Sequence, residues 1–103
     1  MNKKKKLIDY EEYLIERLKD NEEAQNEYLN AALTDEDSRV FLLALKHVLR
    51  AKELSMSTVS KQTKLNRENL YKMLSKKGNP TWDSLKPVIN TLGYAISLHP
   101  FNK

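Results

Sequence analysis

Val40, Phe41, Ala44, Leu45, Val48 and Leu49 recur at i, i+1, i+4, i+5, i+8 and i+9. That is the spacing of an apolar stripe along one face of an α-helix. It is the clearest periodicity in the chain and predicts a helix ending near Lys52, with Thr34 and Asp35 as candidate caps. Two helices are expected before it. From about Ile8 to Lys19, Tyr10, Leu14, Arg17 and Leu18 share one face while Glu11, Glu12 and Glu16 lie elsewhere. Asp20 and Glu23 then have capping-box-like spacing, and the helix after them turns Ala24, Tyr28, Leu29, Ala32 and Leu33 inward.

Beyond Leu54 the pattern shortens. Two small helices are predicted around a turn at Lys64-Leu65-Asn66, the first capped by Ser55 or Ser57 and the second by Asn66. Gly78-Asn79-Pro80 reads as a loop, and Thr81 as the cap of a last helix carrying Leu85, Val88, Ile89 and Leu92. Pro87 removes one backbone donor inside that helix, which predicts a kink or a short opening turn, and Gly93 stops it. Tyr94 to Leu98 alternates and reads as a single strand. A lone strand leaves its backbone groups unpaired, and a second copy of the chain is the simplest mate.

Composition narrows the class. The chain has 103 residues, enough for one small domain, with two glycines, three prolines and no cysteine. Scarce breakers favour helix, and the lack of cysteine excludes disulfide scaffolds and thiolate metal sites. No apolar run approaches the roughly 18 residues of a membrane span. The basic start is followed by an acidic amphipathic segment rather than an unbroken apolar stretch, so a cytoplasmic protein is expected, with no membrane partner. His47 and His99 are far apart, and His47 is expected at the fringe of the long helix. Glu22, Glu23 and Glu27 follow no calcium-loop pattern. There is no phosphate-binding glycine loop and no nucleophile elbow. No catalytic residue, metal or cofactor is therefore expected, and Trp82 reads as a core anchor.

Charge divides the chain more sharply than its net +4 suggests. From Leu7 to Asp37 there are eleven acids and two bases, a net of −9; from Ser38 to Lys103 there are twelve bases and three acids, a net of +9. The lysines at positions 3–6 supply the remaining +4 and read as a solvated arm. The basic part suits a polyanion and the acidic part a basic protein, unless both are simply solvated faces.

The Ser57–Ser75 stretch has the arithmetic of a helix-turn-helix, with the small Ser60 where the two helices would cross. Val59, Thr63, Leu65, Leu70, Met73 and Leu74 form an inner set. Arg67, Glu68, Asn69, Tyr71 and Lys72 are left on the outer face of the second helix, beside its capping Asn66. Arginine and lysine donate to guanine, asparagine pairs with adenine, and glutamate accepts from cytosine, so these residue types can read base edges in a major groove. Thr58, Lys61, Lys76 and Lys77 suit phosphate contacts. A helix pair that serves only as a protein–protein adaptor is the rival reading.

Asp9-Tyr10-Glu11-Glu12-Tyr13-Leu14, Tyr28-Leu29-Asn30-Ala31-Ala32-Leu33, Phe41-Leu42-Leu43-Ala44-Leu45 and the string from Asn66 to Pro80 resemble the bacterial addiction-module antidote proteins of the HigA type. The resemblance covers about Asp9 to Leu98. It implies an all-α, lambda-repressor-like domain of five or six helices with a helix-turn-helix and a short C-terminal β-strand. It implies also an antitoxin that neutralises a RelE-fold, HigB-like ribonuclease toxin and represses its own operon by binding double-stranded operator DNA as a homodimer. A stand-alone or phage-like repressor without a toxin is the alternative. Residues 1–20 would then form an arm and amphipathic helix that either contacts the toxin, through Tyr10, Glu11, Tyr13, Leu14 and Leu18, or packs back on its own domain, and residues 21–103 the DNA-binding domain. Two positions depart from the family: Lys64 stands where the turn usually has glycine, and Ser60 replaces the usual alanine.

Overall fold

The computed structural model describes the backbone of residues 3–101 and the side chains of residues 9–101. Six helices follow one another: α1 (Lys3–Leu18), α2 (Glu22–Leu33), α3 (Ser38–Ala51), α4 (Met56–Thr63), α5 (Arg67–Met73) and α6 (Trp82–Thr91). α1 packs on α2 and α3, while α4 packs on α5 and α6. α3 runs through the middle with Leu42, Ala44, Leu45, Val48, Leu49 and Ala51 all buried, so it is apolar around most of its circumference. Ile15 and Leu18 of α1, Leu29 of α2, Val59 of α4, Leu70 of α5 and Val88 of α6 close on the same core.

Most boundaries follow from capping chemistry. Ser55, Asn66 and Thr81 each accept a hydrogen bond from the backbone N–H three residues on, which satisfies donors the first helical turn leaves orphaned. Two caps differ from expectation. Asn21 rather than Asp20 caps α2, because Asp20 is at φ 53° and belongs to the turn that ends α1. Asp37 rather than Thr34 or Asp35 caps α3; its carboxylate accepts from the Arg39 N–H and pairs with the Arg39 side chain at 2.9 Å. α6 continues past Pro87 to Thr91, losing one donor without ending.

Four sequence expectations are corrected. α1 begins at Lys3 rather than near Ile8, so the backbone of the lysine head is helical. Its inner face is Glu11, Leu14, Ile15 and Leu18; Tyr10 and Arg17, expected on the face of Leu14 and Leu18, are exposed, Tyr10 at 65%. Leu33 and Trp82, expected inward, are each more than half exposed. Tyr94 to Leu98 forms no strand, and no strand occurs among the described residues. After the Tyr94 N–H donates to the Ile89 carbonyl, the segment meets no other backbone to pair with.

Candidate nucleic-acid interface

The turn between α4 and α5 is built from three side chains. Lys64 sits in the left-handed region at φ 63°, ψ 14°, a conformation that crowds a Cβ and costs roughly 1–2 kcal/mol. Two hydroxyls hold it there. Ser60 donates to the Leu65 carbonyl, while Thr63 donates to the Val59 carbonyl at 2.7 Å and accepts from the Leu65 N–H at 3.2 Å. The Ser60 hydroxyl thus ties the crossing point of the two helices to the turn, a bond that an alanine at this position does not make.

α5 follows with Leu70 and Met73 facing the core. Arg67, Glu68, Asn69, Tyr71 and Lys72 are all exposed, Tyr71 at 57%. Five side chains able to meet base edges therefore leave one short rod together. Lys61, Lys76 and Lys77 are exposed on the flanking segments, and Thr58 is half-buried where its hydroxyl meets Ser55. Asn66 is exposed, but its side-chain oxygen is engaged by the Asn69 N–H at 2.8 Å, so its first role is the cap. Lys64 is a further exposed cation on this surface; its place in the turn marked it from sequence, though not as a contact.

The five residues assigned to a protein partner do not form one open face. Tyr10 and Tyr13 are outward, with the Arg17 guanidinium 6.0 Å from the Tyr13 ring centre. Leu14 is half-buried and Leu18 is in the core at 3% exposure. Glu11 turns inward to His47, whose burial corrects the expectation of a fringe position. His47 Nε2 lies 3.2 Å from Glu11 Oε1, and Arg50 Nη1 lies 3.4 Å from the same oxygen. His47 Nδ1 lies 2.7 Å from the Tyr28 hydroxyl. A carboxylate only accepts, so the neutral imidazole carries its proton on Nε2 and the Tyr28 hydroxyl donates to Nδ1. Burial holds the imidazole below the ordinary histidine range, against the opposing pull of Glu11. Burial likewise raises Tyr28, which keeps its proton. This polar link between α1, α2 and α3 left no sequence signal beyond a histidine next to Val48.

Among the described residues no group of three or more His, Cys, Asp or Glu is placed to hold a metal ion. No described helix is long and apolar enough to cross a membrane. A sequence model of the family described as probable addiction module antidote protein matches residues 6–100. The chain belongs to that family. The match runs through all six helices of this antidote protein, including the α4–α5 pair. An uncharacterized protein of Haemophilus influenzae is 37% identical over 79 residues, covering 77% of this chain and 78% of the relative. No solved structure matches. An antidote implies a toxin, so membership gives this antidote protein a toxin partner.

Proposed function

We propose that this antidote protein neutralises a basic, RelE-fold ribonuclease toxin of the HigB type and represses its own operon by binding operator DNA. α4 and α5 act as a lambda-repressor-like helix-turn-helix, with α5 as the recognition helix in the major groove. The observation that carries this reading is the joint outward projection of Arg67, Glu68, Asn69, Tyr71 and Lys72 from α5. Lys61, Lys64, Lys76 and Lys77 supply phosphate contacts around it, and Glu68 is the one acid on that stretch. As a homodimer the protein presents two such helices to successive major grooves, about 34 Å apart along the duplex. The acidic α1–α2 surface, with exposed Tyr10 and Tyr13 among Glu12, Glu16, Glu23 and Glu27, faces the toxin.

The test is a mobility shift on the promoter upstream of its own gene. Each base-reading contact contributes about 1–3 kcal/mol, so Arg67→Ala with Lys72→Ala should weaken binding at least about 30-fold while far-UV circular dichroism stays unchanged. Wild-type affinity should also fall steeply from low to physiological salt. Unchanged binding by the double variant removes α5 from the groove, and a flat salt response favours the adaptor reading.

A further inference from the structure

The surface is least complete along the segment that follows α6. Leu98 and Phe101 are 94% and 87% exposed. Two grooves, of about 270 and 290 Å³, run against the same segment and share Leu33, Phe41 and Ile96. Leu33 and Ile96 are exposed there, as is Trp82 in the second groove. Apolar side chains from α2, α3, α6 and the segment itself thus make one open patch, of the kind that marks a contact surface.

The backbone is unfinished too. After the Tyr94 N–H, no N–H or carbonyl from Ala95 to Phe101 meets a backbone partner among the described residues. Such an edge is a template for pairing with another chain, and proteins that avoid pairing place charges along it. None stands here. From Pro87 to Phe101 there is no Asp, Glu, Lys or Arg, in a chain where 31% of residues are charged. The first groove is lined by no such residue either, and the second has only Asp35 and Glu36. That lack of charge selects the occupant. A polyanion or a strongly charged protein would lose hydration against this face and find no counter-charge. A second copy brings the same uncharged surface, and a two-fold axis sets identical patches against each other.

We propose that Ala95 to His99 pair antiparallel with the same segment of a second copy of this chain. Centred on Ser97, that pairing sets Leu98 opposite the partner's Ile96, so a leucine that is 94% exposed gains an apolar neighbour. The ladder stops at Pro100, which has no N–H to give. The alternation of Tyr94, Ile96 and Leu98 becomes a strand only when two chains supply it. None of Arg67, Glu68, Asn69, Tyr71 and Lys72 lines either groove, so the paired face is distinct from the outer face of α5. The proposal rests on the reading of the protein as a homodimer and supplies that dimer's surface.

The test follows the full-length protein by sedimentation and by residue-resolved amide hydrogen exchange across the micromolar range. The wild type should dimerise, with protection rising with concentration at alternate amides: those of Ala95, Ser97 and His99, or those of Ile96 and Leu98. Leu98→Glu with Phe101→Glu changes four side chains per dimer, so the dissociation constant should rise at least about 100-fold. Both positions are exposed, and far-UV circular dichroism checks that the helices persist. Leu43→Glu, at an exposed leucine of α3 that lines neither groove, should leave the constant unmoved. A monomer at every concentration, a dimer indifferent to the double variant, or protection that appears only when a toxin is added overturns the proposal. An operator shift separates the two readings. If the wild type dimerises through this segment and binds no operator, the surface stands and the operator reading falls. If the double variant stays dimeric and still shifts the operator, the surface assignment falls and the operator reading stands.

Discussion

Gly78 is the position where one methyl group should do most damage. A Cβ there would lie 2.1 Å from the Met73 carbonyl oxygen, 2.8 Å from its carbon and 3.0 Å from the Lys72 carbonyl oxygen. All three are backbone atoms at the end of α5, so no side chain can swing aside to make room. Gly78→Ala must push the loop away from α5, and the Gly78 N–H bond to the Ser75 carbonyl, now 2.9 Å, goes with it. Overpacking of this kind costs about 1–3 kcal/mol, and rigid backbone on both sides places the expected cost near 3. For a domain of this size each kcal/mol lowers Tm by about 4–8 °C, so a fall of about 12–24 °C is expected. Gly93→Ala is the control. Gly93 has φ 92° and nothing within 4 Å of a built Cβ, so its cost is backbone strain alone, about 1–2 kcal/mol. Thermal and denaturant melts followed by circular dichroism rank the two. A Gly78→Ala variant that loses less than Gly93→Ala refutes the reasoning, because contact would then matter less than conformation.

Two further outcomes follow from single residues. His47 is held below the ordinary histidine value, so the unfolded chain takes up its proton first as pH falls; stability from this group is complete above about pH 6.5 and is lost as pH drops through the folded value. Denaturant melts between about pH 7 and pH 5 should show that loss in the wild type and a flatter response in His47→Gln; equal slopes would remove His47 as the source. Lys64→Gly should relieve left-handed strain of about 1–2 kcal/mol against about 0.4–1 kcal/mol of added freedom in the unfolded chain. A small net stabilisation in denaturant melts is expected, and clear destabilisation would show that Lys64 makes a contact the backbone argument ignores.

The elements were legible in the sequence where local chemistry decides them. Ser55, Asn66 and Thr81 cap because a hydroxyl or amide oxygen reaches back to its own helix, and that needs no tertiary knowledge. The outer face of α5 was legible for the same reason: Leu70 and Met73 fix its phase. What failed depends on neighbours. The phase of α1 was misread at Tyr10 because tyrosine scores as apolar; the core took Ile15 and Leu18 and left Tyr10 outside. Val40 is half open while Leu42 is buried, because α3 is surrounded rather than laid on one surface. The Tyr94–Leu98 alternation is real as a pattern, but a strand is a property of two segments, and one chain offers only one. The Glu11–His47 pair joins residues 36 apart in the chain, which no short window of sequence contains.

The charge division gains meaning from the packing. Acids gather on α2 and on α1 from Asp9 onward, and bases on α4, α5 and the loop after them; the lysines that open α1 and Arg39, Lys46 and Arg50 of α3 are further bases outside that division. The proposed pair of ligands, a polyanion and a basic protein, requires that the two fields not cancel. At physiological salt, charges are screened over about 8 Å, whereas the molecule measures 43 × 40 × 28 Å. Several screening lengths therefore fit across the molecule. A uniformly mixed surface with the same net +4 would offer neither ligand a field. Part of this segregation along the sequence is kept in space because α1 packs with α2 and α4 with α5, while α3 brings Arg50 to within 3.4 Å of Glu11.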